Sequence, residues 1–257
     1  MAISTLREAA PALRSDPRAA LTRCAWILAD EGHESGLAGQ LTARGPDEGT
    51  FWTLPLGLAF DEADEASWLL IDNTMKVLVG EGSYGIREPN PATRFHLWVY
   101  RARPDVQAIV HTHPPATSVL AAAEQPLVVA HMDATPLFDD MAFLPDWPGL
   151  PTADREGELI AGGLGTKHAM LLAHHGLLAA GRSVAEAAFL AVFIERMARL
   201  QVDAAPLGGV KPIDAAEARR ARDFLRTDRI MGLTFDAWSR RAERRRPAAA
   251  GTARGHS

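Results

Sequence analysis

Residues 106–115 read VQAIVHTHPP, and this stretch decides how the rest of the chain is read. Val106 to His113 alternates and is rich in β-branched residues, the pattern of a strand. Pro114 and Pro115 end it and open a helix, where a proline in the first turn loses no hydrogen bond. His111 and His113 stand two residues apart, so on a strand both imidazoles project from one face. Both can then reach a single ion at a strand end that opens toward a cleft. Neutral imidazole suits Zn²⁺, Fe²⁺, Mn²⁺ or Ni²⁺, and a catalytic site commonly takes three protein ligands and leaves a position open.

A third ligand is expected from another strand end. Ala169 to His174 reads as a strand running into His174-His175-Gly176, so either histidine could complete the set. Of nine histidines, seven (His96, His111, His113, His131, His168, His174 and His175) fall within 80 residues. His96 lies inside an amphipathic helical pattern and His168 ahead of a strand, and both are read as structural.

Around this centre, helical spacing marks Arg18 to Asp30, Thr93 to Arg103, Asp154 to Leu164 and Val184 to Val202. Ser183 and Glu186 have the spacing of a capping box at the start of the last. Short strands are expected at Thr50 to Leu54, Trp68 to Asp72, Lys76 to Val79 and Leu127 to His131, with a turn at Asp72-Asn73-Thr74. Helices and strands alternate, which predicts an α/β fold with helices packed on a central mixed or antiparallel sheet. No repeat or interior linker divides the chain, so one domain is expected over residues 1–238.

The 257 residues are enough to bury a core without help from a metal or a disulfide, so any metal is there for chemistry. Cys24 is the single cysteine, which excludes a disulfide framework and cysteine-based zinc or iron–sulfur sites. With 27 basic against 32 acidic side chains the chain carries −5. Residues 239–257 hold six arginines and one glutamate, which leaves −10 on the remainder. That body makes a poor nucleic-acid binder, and the basic stretch reads as a disordered tail. The N-terminus lacks the apolar run of a signal peptide and no stretch is long enough to span a membrane. A cytoplasmic protein with no membrane or nucleic-acid partner is expected.

Arg103-Pro104-Asp105, Val110-His111-Thr112-His113-Pro114 and His174-His175-Gly176-Leu177-Leu178 together resemble the class II aldolase/adducin family. The likeness runs from about Ala19 to Leu200. It takes in the segment Gly36 to Arg44, where the family has a glycine-rich loop and a strand, and Trp68 to Asp72, which matches the strand after it. The resemblance implies a three-layer α/β/α sandwich with a mixed, mostly antiparallel sheet. It also implies a homotetramer with active sites at subunit interfaces, and a divalent metal held by His111, His113 and His175, with His174 as a neighbour. Zinc is the expected ion, with iron or manganese as alternatives.

Departures from the family pattern bear on the reaction. The aldolases carry a Ser-Ser-Glu pattern ahead of the helix that holds Arg94-Phe95-His96, and here those positions are Asn90, Pro91 and Ala92. The residues that cradle a sugar phosphate correspond to Leu56-Gly57 and Gly39-Gln40, poor in donors, with Arg44 or Arg87 as conceivable substitutes. The aldolase tyrosine is replaced within His131-Met132-Asp133, which makes Asp133 or His131 the candidate for proton transfer. Asp139-Asp140 and Glu88 are further acidic candidates. The expected activity is that of a metal-dependent lyase, aldolase or decarboxylase in type, on a small unphosphorylated hydroxy or keto acid. A branch of the same superfamily, the oxygenases and decarboxylases of aminocoumarin pathways, acts on aromatic keto acids with non-haem iron and supplies the alternative. A non-catalytic, adducin-like binding module is the third reading.

Overall fold

The computed structural model describes residues 16–33, 36–146, 149 and 154–246. Its strands are β1 (Gln40–Arg44), β2 (Thr50–Thr53), β3 (Leu69–Asp72), β4 (Val77–Val79), β5 (Ala108–Thr112), β6 (Met141–Leu144), β7 (Ala169–Leu172) and β8 (Leu177–Gly181). Its helices are α1 (Arg18–Asp30), α2 (Thr93–Ala102), α3 (Pro115–Ala122), α4 (Asp154–Leu164), α5 (Val184–Asp203), α6 (Ala215–Leu225) and α7 (Asp228–Arg245). The strands form one sheet in the order β4-β3-β2-β1-β5-β8-β7-β6. Neighbours are antiparallel except β6 and β7, which run parallel. The expected mixed, mostly antiparallel sheet is therefore present.

Strand periodicity builds the layers. Leu41, Ala43, Ala108 and Val110 point to one face, against buried residues of α1, α5 and α7. Ile109, Leu178 and Ala180 point to the other, against Phe95, Val99 and Tyr100 of α2 and Ile160 and Leu164 of α4. Both faces of the sheet are covered, which gives the α/β/α sandwich. Local chemistry fixes the ends of elements. Asp72 Oδ1 accepts from the Thr74 and Lys76 amides (2.8 and 3.1 Å) and closes the expected β3–β4 turn. Ser183 Oγ accepts from the Glu186 amide at 3.1 Å, while the Glu186 carboxylate reaches one residue further back than a capping box requires, to the Arg182 amide.

Two sequence expectations are corrected, and one strand without a sequence signal is added. Leu127 to His131 forms no strand; Val128 donates its amide to Gln201 Oε1 (2.8 Å) and the Val129 carbonyl accepts from Ile213 (2.9 Å), so these groups are spent on α5 and the segment before α6. The sheet edge is instead β6. Strand β8 went unread because Leu-Leu-Ala-Ala-Gly has neither alternation nor β-branched residues, and a fully buried central strand needs neither. Finally, the chain does not become a tail at residue 239. Helix α7 continues to Arg245 and buries Ser239 and Ala242. Arg241 pairs with Glu31, and Arg245 and Arg246 pair with Asp30 at the end of α1, so ion pairs hold the helix where apolar spacing fades. Residues 247–257 of the expected tail lie outside the described residues. No helix among the described residues is long and apolar enough to cross a membrane.

The α2 face of the sheet carries a polar seam. Thr93, His96 and Tyr100 share one side of α2 and are buried. Thr42 Oγ1 lies 2.9 Å from both His96 Nδ1 and the Tyr100 hydroxyl, and Thr93 Oγ1 bonds Thr53 Oγ1 and Gln40 Nε2. On the other face His33 Nδ1 bonds Thr112 Oγ1 at 2.8 Å. Burial pushes His33 and His96 from 6.5 down to about 3, helped at His33 by Arg196. Below about pH 6.5 the unfolded chain binds protons on these rings that the folded chain refuses. Stability is thus lost as the pH falls from 6.5 toward 3, with a slope of up to about 1.4 kcal/mol per pH unit for each ring. Urea midpoints of the metal-free protein should fall steadily from pH 7 to 4.5; a flat profile would contradict two buried neutral histidines.

Candidate metal centre

The centre lies where β5 ends in the middle of the sheet. His111 is opposite Gln40 on β1 and Leu178 on β8, and its side chain is buried. Its Nδ1 is 2.8 Å from the Leu177 carbonyl, which only accepts, so Nδ1 carries the proton and Nε2 is left with its lone pair. His113 follows the last strand residue and sets its Nε2 2.9 Å from that nitrogen. His175 enters from the β7–β8 turn, which is closed by the Leu172 amide on the Gly176 carbonyl (2.9 Å). Its ring centroid is 4.6 Å from each of the other two. One ring nitrogen from each histidine lies within 4.8 Å of the others.

The turn also separates the adjacent histidines. His174 has a left-handed backbone (φ 55°), and its ring turns away to Glu124, with Nε2 2.9 Å from Oε1. The structure thus brings His175, not His174, to His111 and His113. Gly176 makes the approach feasible. A Cβ there would lie 2.4 Å from the Thr112 carbonyl oxygen and 2.5 Å from His113 Cδ2.

Burial sets the protonation state. It holds His111 well below 6.5, reinforced by His175, His113 and His96, lowers His113, and brings His175 to about 4 with the help of His113. All three rings are neutral at pH 7, which is the ligating form. His175 Nδ1 is buried and has no hydrogen-bond partner in the protein. Three converging neutral imidazoles, one with an unpartnered buried nitrogen and one oriented by a backbone carbonyl, fit a divalent cation.

The other sequence candidates are placed elsewhere. Among the described residues no aspartate or glutamate joins the cluster. His131 is exposed and caps a 3-10 turn, Met132–Leu137, on which Asp133 is half-buried, with His131 Nδ1 3.8 Å from Asp133 Oδ2. That turn leads to β6, whose first residue pairs with Ala169 at the start of β7, whereas His175 follows the end of β7. Neither group joins the histidine cluster within one chain. Asp139 pairs with Arg219, and Asp140 pairs with His168 and Arg226 at the same remote end. Arg44 is committed to the Val106, Tyr100 and Arg103 carbonyls, and Arg87 is exposed beside Glu81.

Gly39, Gly57 and Asn90, distant in sequence, line one narrow cleft with Leu54, Leu58 and Phe60. No charged side chain lines it. Asn90 is buried, and its amide donates to the Leu37 and Gly39 carbonyls (3.3 and 3.5 Å) and accepts from the Ala92 amide (3.0 Å). The side chain that stands in the family's Ser-Ser-Glu segment is spent on tying the glycine-rich loop to α2. Gln40 is likewise turned inward, to Thr93 and Leu54.

Gly176→Ala should weaken Zn²⁺ or Co²⁺ binding by about tenfold or more, because the new methyl displaces His113 or the Thr112 carbonyl. Titration of the purified variant checks this, and unchanged affinity would show that the turn yields freely.

The profile of the Class II Aldolase and Adducin N-terminal domain family matches residues 19–202. The 4-hydroxy-3-prenylphenylpyruvate oxygenase/4-hydroxy-3-prenylbenzoate synthase of Streptomyces roseochromogenus subsp. oscitans is 33% identical over 72% of this chain and 66% of its own length. The chain thus spans just under two thirds of that relative. Decarboxylase NovR of Streptomyces niveus is 32% identical over 80% of this chain and 73% of its own length. Among solved structures, the L-fuculose 1-phosphate aldolase from Glaciozyma antarctica PI12 superposes with a TM-score of 0.81 at 28% identity, covering 88% of each chain. With the sandwich and the motif histidines in place, the chain belongs to the class II aldolase and adducin N-terminal domain family.

Proposed function

We propose that the protein is a divalent-metal-dependent lyase, of aldolase or decarboxylase type, acting on a small unphosphorylated hydroxy or keto acid. The observation that carries this reading is the cluster of three neutral imidazoles at the end of β5, with one nitrogen from each within 4.8 Å of the others. His111, His113 and His175 would hold the ion, zinc foremost. A bound divalent ion supplies a Lewis acid for a carbonyl oxygen on which negative charge develops. The protein's own contribution is orientation. The Leu177 carbonyl fixes the His111 tautomer, and Gly176 lets the His175 turn close on β5.

The cleft beside the glycine-rich loop supports the substrate class. A dianionic phosphate needs charged or multiple free donors, and this cleft offers glycines, aliphatic side chains, Phe60 and an amide already engaged. For proton transfer we assign Asp133 or His131 from a neighbouring copy of the chain, in a homotetramer with sites at subunit interfaces. Neither residue joins the cluster within one chain, and the exposed Met132 between them offers an apolar contact for a second copy.

A second reading, a non-haem iron oxygenase or oxidative decarboxylase on the same histidines, is favoured by the likeness to the prenylphenylpyruvate oxygenase. Metal content after purification and oxygen-electrode assays with aromatic keto acids separate the two. Zinc or manganese with aldehyde or carbon dioxide release and no oxygen uptake supports the lyase. Iron with stoichiometric oxygen uptake supports the oxygenase. His113→Ala should abolish metal binding and leave the unfolding free energy of the metal-free protein in urea within about 1 kcal/mol of the parent, because the core does not depend on the ion. Absence of metal even after supplementation would overturn both readings.

A further inference from the structure

We propose that Glu195 is a positioning residue for His113, acting from α5 as the N-terminal cap of α3. The proposal rests on the metal reading above.

Helix α3 begins two residues after His113 and has no cap of its own. Its N-cap residue is Pro114, with no side-chain acceptor, and Pro115 occupies the first helical position. The first available N–H groups are those of Ala116 and Thr117, and both are buried. They donate to Glu195 Oε1 (2.9 Å) and Oε2 (2.8 Å), and the Thr117 hydroxyl donates to Oε2 at 2.8 Å. Glu195 is 6% exposed, so its carboxylate has given up most of its water and is held by these donors, with the Arg199 guanidinium 3.9 Å from Oε1. A carboxylate on the amide end of a helix also meets the favourable end of the helix dipole, and its charge-assisted bonds are stronger than those of a neutral acceptor.

The link from this cap to His113 is stiff. Two consecutive prolines separate them, and each ring fixes φ near −65°, so little torsional freedom remains between the anchored turn and the histidine. On the other side of His113, Thr112 is held by His33 through the 2.8 Å bond of Oγ1 to Nδ1. The residue next to Glu195, Arg196, pairs with Glu31 at 2.8 Å, just ahead of His33. One pair of adjacent residues on α5 thus braces both flanks of the metal-bearing turn.

The test is Co²⁺ titration of the full-length metal-free protein, read by dissociation constant and visible absorption spectrum. Glu195→Gln keeps the shape and loses the charge and one acceptor. It should raise the cobalt dissociation constant about tenfold and alter the spectrum, as loss of an outer support does. Thr117→Val, which removes one bond, should shift both in the same direction by less, and it serves if the glutamine variant fails to fold. Glu186→Gln is the control: it removes a buried carboxylate bound to Arg182 and Arg226 at the opposite end of α5, and it should lower stability without changing cobalt affinity or spectrum. Wild-type binding with unchanged values in Glu195→Gln and Thr117→Val would overturn the positioning role alone, as would an equal loss in Glu186→Gln. Failure of the wild type to bind cobalt would overturn the metal reading, and this proposal with it.

Discussion

The β7–β8 turn lies against the end of β5 with no room for one more carbon. The Thr112 carbonyl oxygen and the His113 ring occupy the space a side chain at residue 176 would need. That close approach brings His175 to the two histidines of β5, and it is possible because β8 pairs with β5 along its whole length, from Ala108↔Gly181 to Thr112↔Leu177. The same pairing places the Leu177 carbonyl under His111 Nδ1. Ligand spacing, tautomer and turn geometry therefore follow from one strand register.

Polar groups are sorted by end and by face of the sheet. Around the histidine cluster the supports are neutral or singly charged and buried: the α2 seam on one face, His33 and Glu195 on the other. At the opposite end, Arg226, Asp140, Glu186 and His168 form a dense ionic group that ties α5 and the C-terminal helices to β6 and β7. Burial lowers Arg226 to about 10, still far enough above neutral pH for it to stay charged beside its carboxylate partners. Charge is used there to hold elements together, and low polarity is kept where chemistry needs neutral imidazole.

The departures from the aldolase pattern gain a physical meaning in the structure. Asn90 does not replace a lost carboxylate at the cluster; it binds the Leu37 and Gly39 carbonyls and the Ala92 amide, and so closes the loop onto α2. Gln40 turns into the polar seam. The side chains at the positions that serve a phosphate in the sugar-phosphate enzymes are here structural, which leaves the histidine cluster beside an uncharged cleft.

The sequence by itself determined the elements with strong period or local chemistry: α1 with its expected limits, α2, α4 and α5 to within a residue or so, the Asp72 turn, and β5 with its two histidines on one face. It also narrowed the third ligand to two adjacent residues. Only the tertiary structure shows which of the two rings meets His111 and His113, because a left-handed residue at 174 sends consecutive rings in opposite directions. It alone revealed β8, whose small and leucine residues carry no strand signal, and the helical course of α7, which is held by carboxylates of α1 more than two hundred residues away. It likewise left Asp133 and His131 out of the cluster, which depends on packing and cannot be read along the chain. Glu195 follows the apolar run 187–194 and stands next to Arg196, so nothing along the chain marks it as the cap of another helix. Periodicity is a local property and can be read along the chain, whereas the meeting of His175, Gly176 and Glu195 with the end of β5 depends on registers and packing that form only on folding.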